Sequence, residues 1–288
     1  MASTEALVEA PLTVEDLAGA GALVAEAGWN QNAADWRVFL ELGRGFAVKT
    51  EAGVLAATAA TLPYPSGFGW ISMVLVAKAF RRRGIATRLL ERCLATLREA
   101  GMVPVLDATP AGRTVYQPLG FRDGWPLTRW RRNGPPPRAT APQVARGVRA
   151  LTQADWPAVL ALDAQAFGCD RAPLLGRLRL RSRDFACVLE RDGRLRGFLL
   201  GREGRLATQL GPLVAQDEAT AAALAAHACA RVPDAVIVDA LDRHGDFAGW
   251  LAAQGFARER PYTRMALDRD TLFGDPQRCI AIAGPELG

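Results

Sequence analysis

A chain of 288 residues with 35 basic and 30 acidic side chains, a net charge of +5 and 50% hydrophobic residues is neither disordered nor fibrous, and its length predicts two domains, each able to bury a core. No apolar run approaches the roughly 20 residues that span a bilayer, and Met1–Thr13 has neither a basic nor an apolar leader region, so no membrane partner and a cytoplasmic location are expected. The positive surplus is shared almost evenly between the halves, which argues against a nucleic-acid module. Five widely spaced cysteines and the isolated His227 and His244 predict free buried thiols and no metal site.

In chain order, the spacing predicts a helix over 14–26 with Thr13 as N-cap, and a second over 33–42. Strands follow near 46–50, 54–62 and 70–76, the last almost continuously apolar, as a strand covered on both faces should be. A basic loop, Ala77–Arg83, leads into a helix over 84–100 with Ile85, Leu89, Leu90, Leu94 and Leu97 on one stripe. A strand over 103–107, a short helix over 112–118 and a strand from Phe121 complete this half. The reading is an α/β fold (α+β, mixed sheet).

Arg131–Ala145, with Pro135, Pro136, Pro137 and Pro142, cannot be helix or sheet interior. The same order of elements then restarts: Leu151-Thr152 before a helix to Phe167 matches Leu12-Thr13, and Gly255-Phe256 after a short helix matches Gly120-Phe121. This predicts an internal duplication, with domains at 1–133 and 146–288 and a linker at 134–145.

The chemistry is concentrated in Val76–Thr87. A buried strand, a basic loop and a helix opening on Gly84 and Ala86 aim unpaired N–H groups and the positive end of the helix dipole at one spot, where small residues admit a diphosphate. Arg81-x-x-Gly84-x-Ala86 after an apolar strand, followed by Tyr116 four residues before Gly120-Phe121, resembles the acetyl-CoA signature and second motif of the GCN5-related N-acetyltransferases (GNAT). Gly28-Trp29-Asn30-Gln31, Trp70–Val76, Leu106–Arg113 and Ile282–Gly288 resemble bacterial tandem members, so the likeness covers nearly the whole chain.

The resemblance implies two tandem GNAT folds and acetyl-CoA as cofactor. It places Val74 and Val76 on the strand whose main chain pairs with the acetyl carbonyl and pantetheine arm, beside a splayed neighbouring strand. Arg81, Arg82, Arg83, Gly84, Ile85, Ala86 and Thr87 match the pyrophosphate loop, and Tyr116 the acid that protonates the departing thiolate. A phenol of pKa about 10 can serve a thiolate of about 8.5. No carboxylate or imidazole lies in Trp70–Val76; Ser72 is its polar side chain, and Asp107 on the adjacent strand is the candidate base, acting through water or holding the acceptor ammonium. Trp29 and Asn30 match the acceptor wall, and Asp170 and Arg171 are candidates for a contribution from the second copy.

Ungapped alignment of Val214 with Val76 puts Ala219 at Arg81 and Ala222 at Gly84, with Asp217 and Glu218 in the loop, and Leu251, four residues before Gly255-Phe256, replaces the tyrosine, so the second copy is expected to be degenerate. The implied function is acetyl transfer to a primary amine of a small molecule by direct attack in a ternary complex, from a monomer or homodimer. The alternatives are a non-catalytic acyl-CoA-binding sensor and a protein or peptide N-acetyltransferase.

Overall fold

The computed structural model describes residues 6–135, 147–182 and 184–288. Gly134 and Pro135 of the expected linker are among them; 136–145 lie outside the described residues. The chain forms two compact units, Met1–Val105 with Gly204–Leu206, and Leu106–Glu203 with Ala207–Gly288.

The first unit contains β1 (Leu7–Pro11), α1 (Leu17–Glu26), α2 (Ala33–Leu42), β2 (Arg44–Thr50), β3 (Leu55–Tyr64), β4 (Phe68–Val76), α3 (Ile85–Glu99) and the start of β5 (Val103–Ala108), with strands in the order β1-β2-β3-β4-β5. Every pair is antiparallel except the parallel β4–β5. Sequence patterning gave no sign of β1, since Val8 and Glu9 are both exposed on this short edge strand and no alternation develops. The first turn of the expected first helix is a 3-10 turn, Val14–Asp16, closed by the Thr13 N–H donating to Asp16 Oδ2 at 2.9 Å. Ala56, Ala57, Ala59 and Ala60 of β3 are fully buried, and such small side chains let helices approach the sheet closely; Trp36 and Phe39 of α2 are fully buried as well. The predicted stripe on α3 is buried, with Cys93 added to it.

The second unit takes the rest of β5, then α4 (Pro110–Tyr116), β6 (Phe121–Arg132), β7 (Val148–Ala150), α5 (Trp156–Phe167), α6 (Ala172–Arg181), β8 (Cys187–Arg191), β9 (Arg194–Glu203), β10 (Thr208–Ala215), α7 (Glu218–Cys229), β11 (Val236–Leu241), α8 (Gly245–Ala253), β12 (Ala257–Leu267) and β13 (Cys279–Ala281). Its strand order is β12-β6-β11-β13-β10-β9-β8-β7. β6, the last strand of the first sequence copy, is antiparallel to both β12 and β11 of the second. Strand ladders, and not only a linker, therefore tie the two copies together. Burial of Leu127 and Trp130 on β6 adds roughly 1.5–3 kcal/mol for each side chain.

All five cysteines are free and buried. Burial pushes the thiols of Cys93 and Cys187 up to about 12 and those of Cys229 and Cys279 up to about 11. Native protein at pH 8 is therefore expected to resist a thiol reagent until denaturant is added; rapid labelling of the native protein would contradict this packing.

Candidate active site

The site begins with an irregularity in β4. Thr58 of β3 faces Leu75 and Ala60 faces Ser72, so Ala59 alone stands opposite Met73 and Val74. This is a β-bulge. Met73 has a φ of 54°, a left-handed backbone that a non-glycine residue adopts only when its surroundings hold it there, and Thr58 Oγ1 donates to the Met73 carbonyl at 2.9 Å. The ladder to β5 runs only from Phe68↔Val103 to Trp70↔Val105, while β4 continues to Val76. Beyond Trp70, among the described residues, the β5-side backbone edge of β4 has no ladder partner. The bulge thus turns main-chain groups out of register where that edge is open. Ser72, Val74 and Val76, all half-buried, lie on this stretch. Ser72 Oγ is buried and meets no hydrogen-bond partner among the described residues.

Past Val76 the chain makes a 3-10 turn, Lys78–Phe80, and enters α3 through Gly84 at φ 72°. Arg82 is also left-handed, at φ 61°. Left-handed residues two positions apart, at Arg82 and Gly84 with Arg83 between them, let neighbouring N–H groups converge, which is an anion-binding geometry. No side chain caps α3 among the described residues, so its first N–H groups remain available and its dipole is unshielded. The loop is pinned from behind: Arg81 Nε donates to the Val76 carbonyl at 3.0 Å, and the Lys78 N–H to Glu26 Oε1 at 2.7 Å. Arg82, Arg83, Ala86 and Thr87 are exposed, while Ile85 anchors the helix start in the core.

On the same unit, Gly28 at φ 69° ends α1, with the Trp29 N–H reaching back to the Val24 carbonyl at 3.0 Å. Trp29 is left half-buried. Asn30 is buried and holds the segment Gly204–Leu206. Its Oδ1 accepts from the Leu206 N–H at 2.9 Å and its carbonyl from the Arg205 N–H at 2.6 Å, while Arg205 Nε reaches the Trp29 carbonyl at 3.1 Å. A Cβ on Gly204 would collide with the Asn30 side chain. Residues between β9 and β10 of the second sequence copy thus brace the α1–α2 loop of the first. Gln31 was not singled out from the sequence; it is buried, and its Oε1 has no partner among the described residues. Its place beside Trp29 and Asn30 was the available signal.

In the second unit, the Asp107 side chain is fully buried and takes a two-point hydrogen bond from Arg264 of β12, Nε to Oδ1 and Nη2 to Oδ2, both at 2.9 Å. Burial pushes the Asp107 carboxyl up, and the guanidinium pulls against it. Replacing Arg264 by Met would leave that carboxylate buried without its counter-charge, which is expected to cost about 3–5 kcal/mol of stability in urea unfolding. With the guanidinium gone, the folded-state pKa rises further above the unfolded value, so the loss should be greater at pH 8 than at pH 5. A variant as stable as the parent at both pH values would show the pair to be dispensable. Tyr116 ends α4, half-buried, its ring 5.8 Å from that of Phe121 and lying against Gly112.

The second copy repeats the scaffold with other contents. Two residues, Gln216 and Asp217, join β10 to α7, where Ala77–Gly84 join β4 to α3. The ungapped alignment therefore fails in this loop: the phosphate segment is deleted rather than substituted. Asp217 Oδ1 caps α7 through the Thr220 N–H at 2.7 Å, and Glu218 Oε2 accepts from the Phe247 N–H of α8 at 2.6 Å. Arg171 is buried, paired to Asp163 at 2.8 and 2.9 Å, donating to the Gly288 carbonyl at 2.8 Å and lying over the Phe167 ring. Asp170 Oδ1 accepts from the Ala172 N–H at 2.8 Å at the start of α6. Both side chains thus have structural partners inside the second unit. Among the described residues no cluster could hold a metal ion, and no helix is long and apolar enough to cross a membrane.

Residues 21–121 match the acetyltransferase (GNAT) family and residues 159–281 match an acetyltransferase (GNAT) domain, together over half of the chain. The uncharacterized N-acetyltransferase YitH of Bacillus subtilis (strain 168) is 22% identical over 246 residues, 85% of this chain and 86% of that protein. A proposed acetyltransferase of Pyrococcus horikoshii superposes with a TM-score of 0.79 at 20% identity, covering 98% of this chain and 96% of that one. A tandem GNAT protein from the clavulanic acid biosynthesis pathway gives 0.63 at 14%, covering 93% and 100%. At these identities the superpositions speak for the fold alone, and the two domain matches speak for the family. The chain belongs to the GCN5-related N-acetyltransferase superfamily and is an acetyltransferase built as a tandem of two GNAT domains.

Proposed function

We propose that the protein is an acetyl-CoA-dependent N-acetyltransferase of the cytoplasm that acts on a primary amine of a small molecule by direct attack in a ternary complex. The observation that carries this reading is the continuity, within one stretch of chain, of the β4 bulge at Met73–Val74 with the uncapped, left-handed entry to α3 at Gly84. Acetyl-CoA would bring the activated acetyl thioester and a diphosphate. The residues present suit such a molecule: exposed main-chain edge for amides, converging N–H groups and arginines for phosphate, and small side chains at Gly84 and Ala86.

In this reading the Arg81–Thr87 segment binds phosphate, and the main chain at Val74 and Val76 pairs with the pantetheine arm and orients the acetyl carbonyl. Trp29, Asn30 and Ser72 line the acceptor side, and the unpartnered Ser72 hydroxyl is available to a polar substrate group. Asp107 receives the amine proton through water or holds the ammonium; burial favours protonation there and Arg264 opposes it. Tyr116, carried over from the motif ahead of Gly120-Phe121, gives its phenolic proton to the departing sulfur.

The test is a calorimetric titration of acetyl-CoA into the full chain, followed by thiol release against a panel of primary amines. Binding and turnover with a class of amine are expected. Absence of binding overturns the reading; binding without release across the panel would leave an acyl-CoA-binding protein.

A further inference from the structure

The second copy repeats the β4 bulge residue for residue. Leu210 faces Gly201 and Leu213 faces Leu199, so Gly211 and Pro212 together oppose Leu200, as Met73 and Val74 oppose Ala59. A parallel ladder precedes the bulge in both copies and reaches two residues nearer to it in the second: Thr208–Leu210 pair with Val236–Val238, where Phe68–Trp70 pair with Val103–Val105. Beyond that point the copies part. Where the β4 edge has no ladder partner among the described residues, the β10 edge is taken by the chain itself: Leu213 pairs with Ala281 and Val214 with Cys279, while Ala281 also pairs with Ala240 of β11.

This segment is bolted in place. The Ala215 N–H donates to the Arg278 carbonyl at 3.1 Å and the Ile282 N–H to the Asp239 carbonyl at 3.0 Å. Buried Arg202 holds both the Ala283 carbonyl and the Glu286 carboxylate, and Arg171 holds the Gly288 carbonyl at 2.8 Å. At the bulge, Pro212 has no N–H where Val74 has one, so the donor that could meet an acyl oxygen is missing. Gly211, at φ 151°, lies so close to Ile282 that a Cβ would run into its carbonyl.

We infer that residues 279–288 act as a built-in occupant of the second copy's pantetheine groove, so that the chain takes up one acyl-CoA and not two. The assignment of that groove rests on the proposed role of the β4 edge. It makes the second copy a sealed scaffold rather than a dormant second site, with backbone hydrogen bonds of the segment doing what the amides of an extended ligand would do.

Two measurements on the full chain decide it. Calorimetry with acetyl-CoA should give one site per chain; a second site overturns the inference. Amide hydrogen exchange at Leu213–Ala215 and Cys279–Ile282 should be slow without ligand and unchanged when acetyl-CoA is added. Fast exchange there, or deprotection on adding ligand, overturns it equally. Gly211→Ala should speed exchange at Cys279–Ile282 by about tenfold or more while leaving the affinity of the single site within about twofold. If that variant does not fold, stoichiometry and wild-type exchange still decide. A titration with no binding at all would refute the role proposed for the first copy, while the exchange data would still report whether the segment is seated.

Discussion

Replacing Arg83 by Ala and Arg82 by Gly, with Arg81 kept because its Nε pins the loop to the Val76 carbonyl, is expected to weaken acetyl-CoA binding roughly tenfold in 0.1 M salt, because two exposed guanidiniums near a diphosphate each add a modest, screened contribution. Glycine is the required choice at position 82: its φ of 61° would strain an alanine, and the change must remove charge without moving the backbone. Binding should not vanish. The N–H groups at the start of α3 and the helix dipole remain, and they form the larger part of an anion site built from main chain. Two further signs separate lost charge from lost fold. The affinity of the parent should fall steeply as salt rises while that of the variant falls less, and the unfolding midpoint should stay close to that of the parent, since the Arg82 and Arg83 side chains are exposed. An unchanged affinity would take the phosphate away from this loop, and with it the argument that unit 1 carries the cofactor.

Much of what marks this candidate site is legible in the sequence, because its signals are local. Gly84 three residues after Arg81, a β-branched strand before it and a leucine stripe after it are all short-range, and the helix came out at Ile85–Glu99 against an expected 84–100. What escaped the sequence depends on distant partners. Nothing about a methionine announces a φ of 54° at Met73; the bulge is visible only once β3 sets the register. Asp107 reads as a free carboxylate at a strand end until Arg264, far along the chain, arrives to hold both its oxygens. The loop deletion in the second copy was hidden by an ungapped alignment that ran straight through Asp217 and Glu218, two good helix-start residues, and so looked like substitution. β13 is too short to show periodicity, and its role is set by the splayed β10 and β11 that receive it. β6 reads equally well as the last strand of the first copy, and only the ladders to β11 and β12 show where it pairs.

Tyr116→Phe is expected to lower kcat by about a hundredfold, within the range that a positioned general acid contributes, while the acetyl-CoA affinity changes little. The geometry makes this substitution a clean one. The ring sits 5.8 Å from Phe121 and against Gly112, so phenylalanine keeps the packing that fixes the end of α4 and removes only the oxygen. A structural role for the ring predicts the opposite pattern: Phe tolerated in both stability and kcat, and Ala damaging both. The pH profile adds a readout that packing cannot mimic. If the phenol protonates the leaving sulfur, the parent's kcat should fall at alkaline pH as the phenol is lost, and Tyr116→Phe should lose that limb and run flat at its lower level. The buried cysteines keep the background of a thiol-release assay low across that range. A Phe variant that turns over as fast as the parent would remove Tyr116 from the acid role and leave the protonation of the thiolate to solvent.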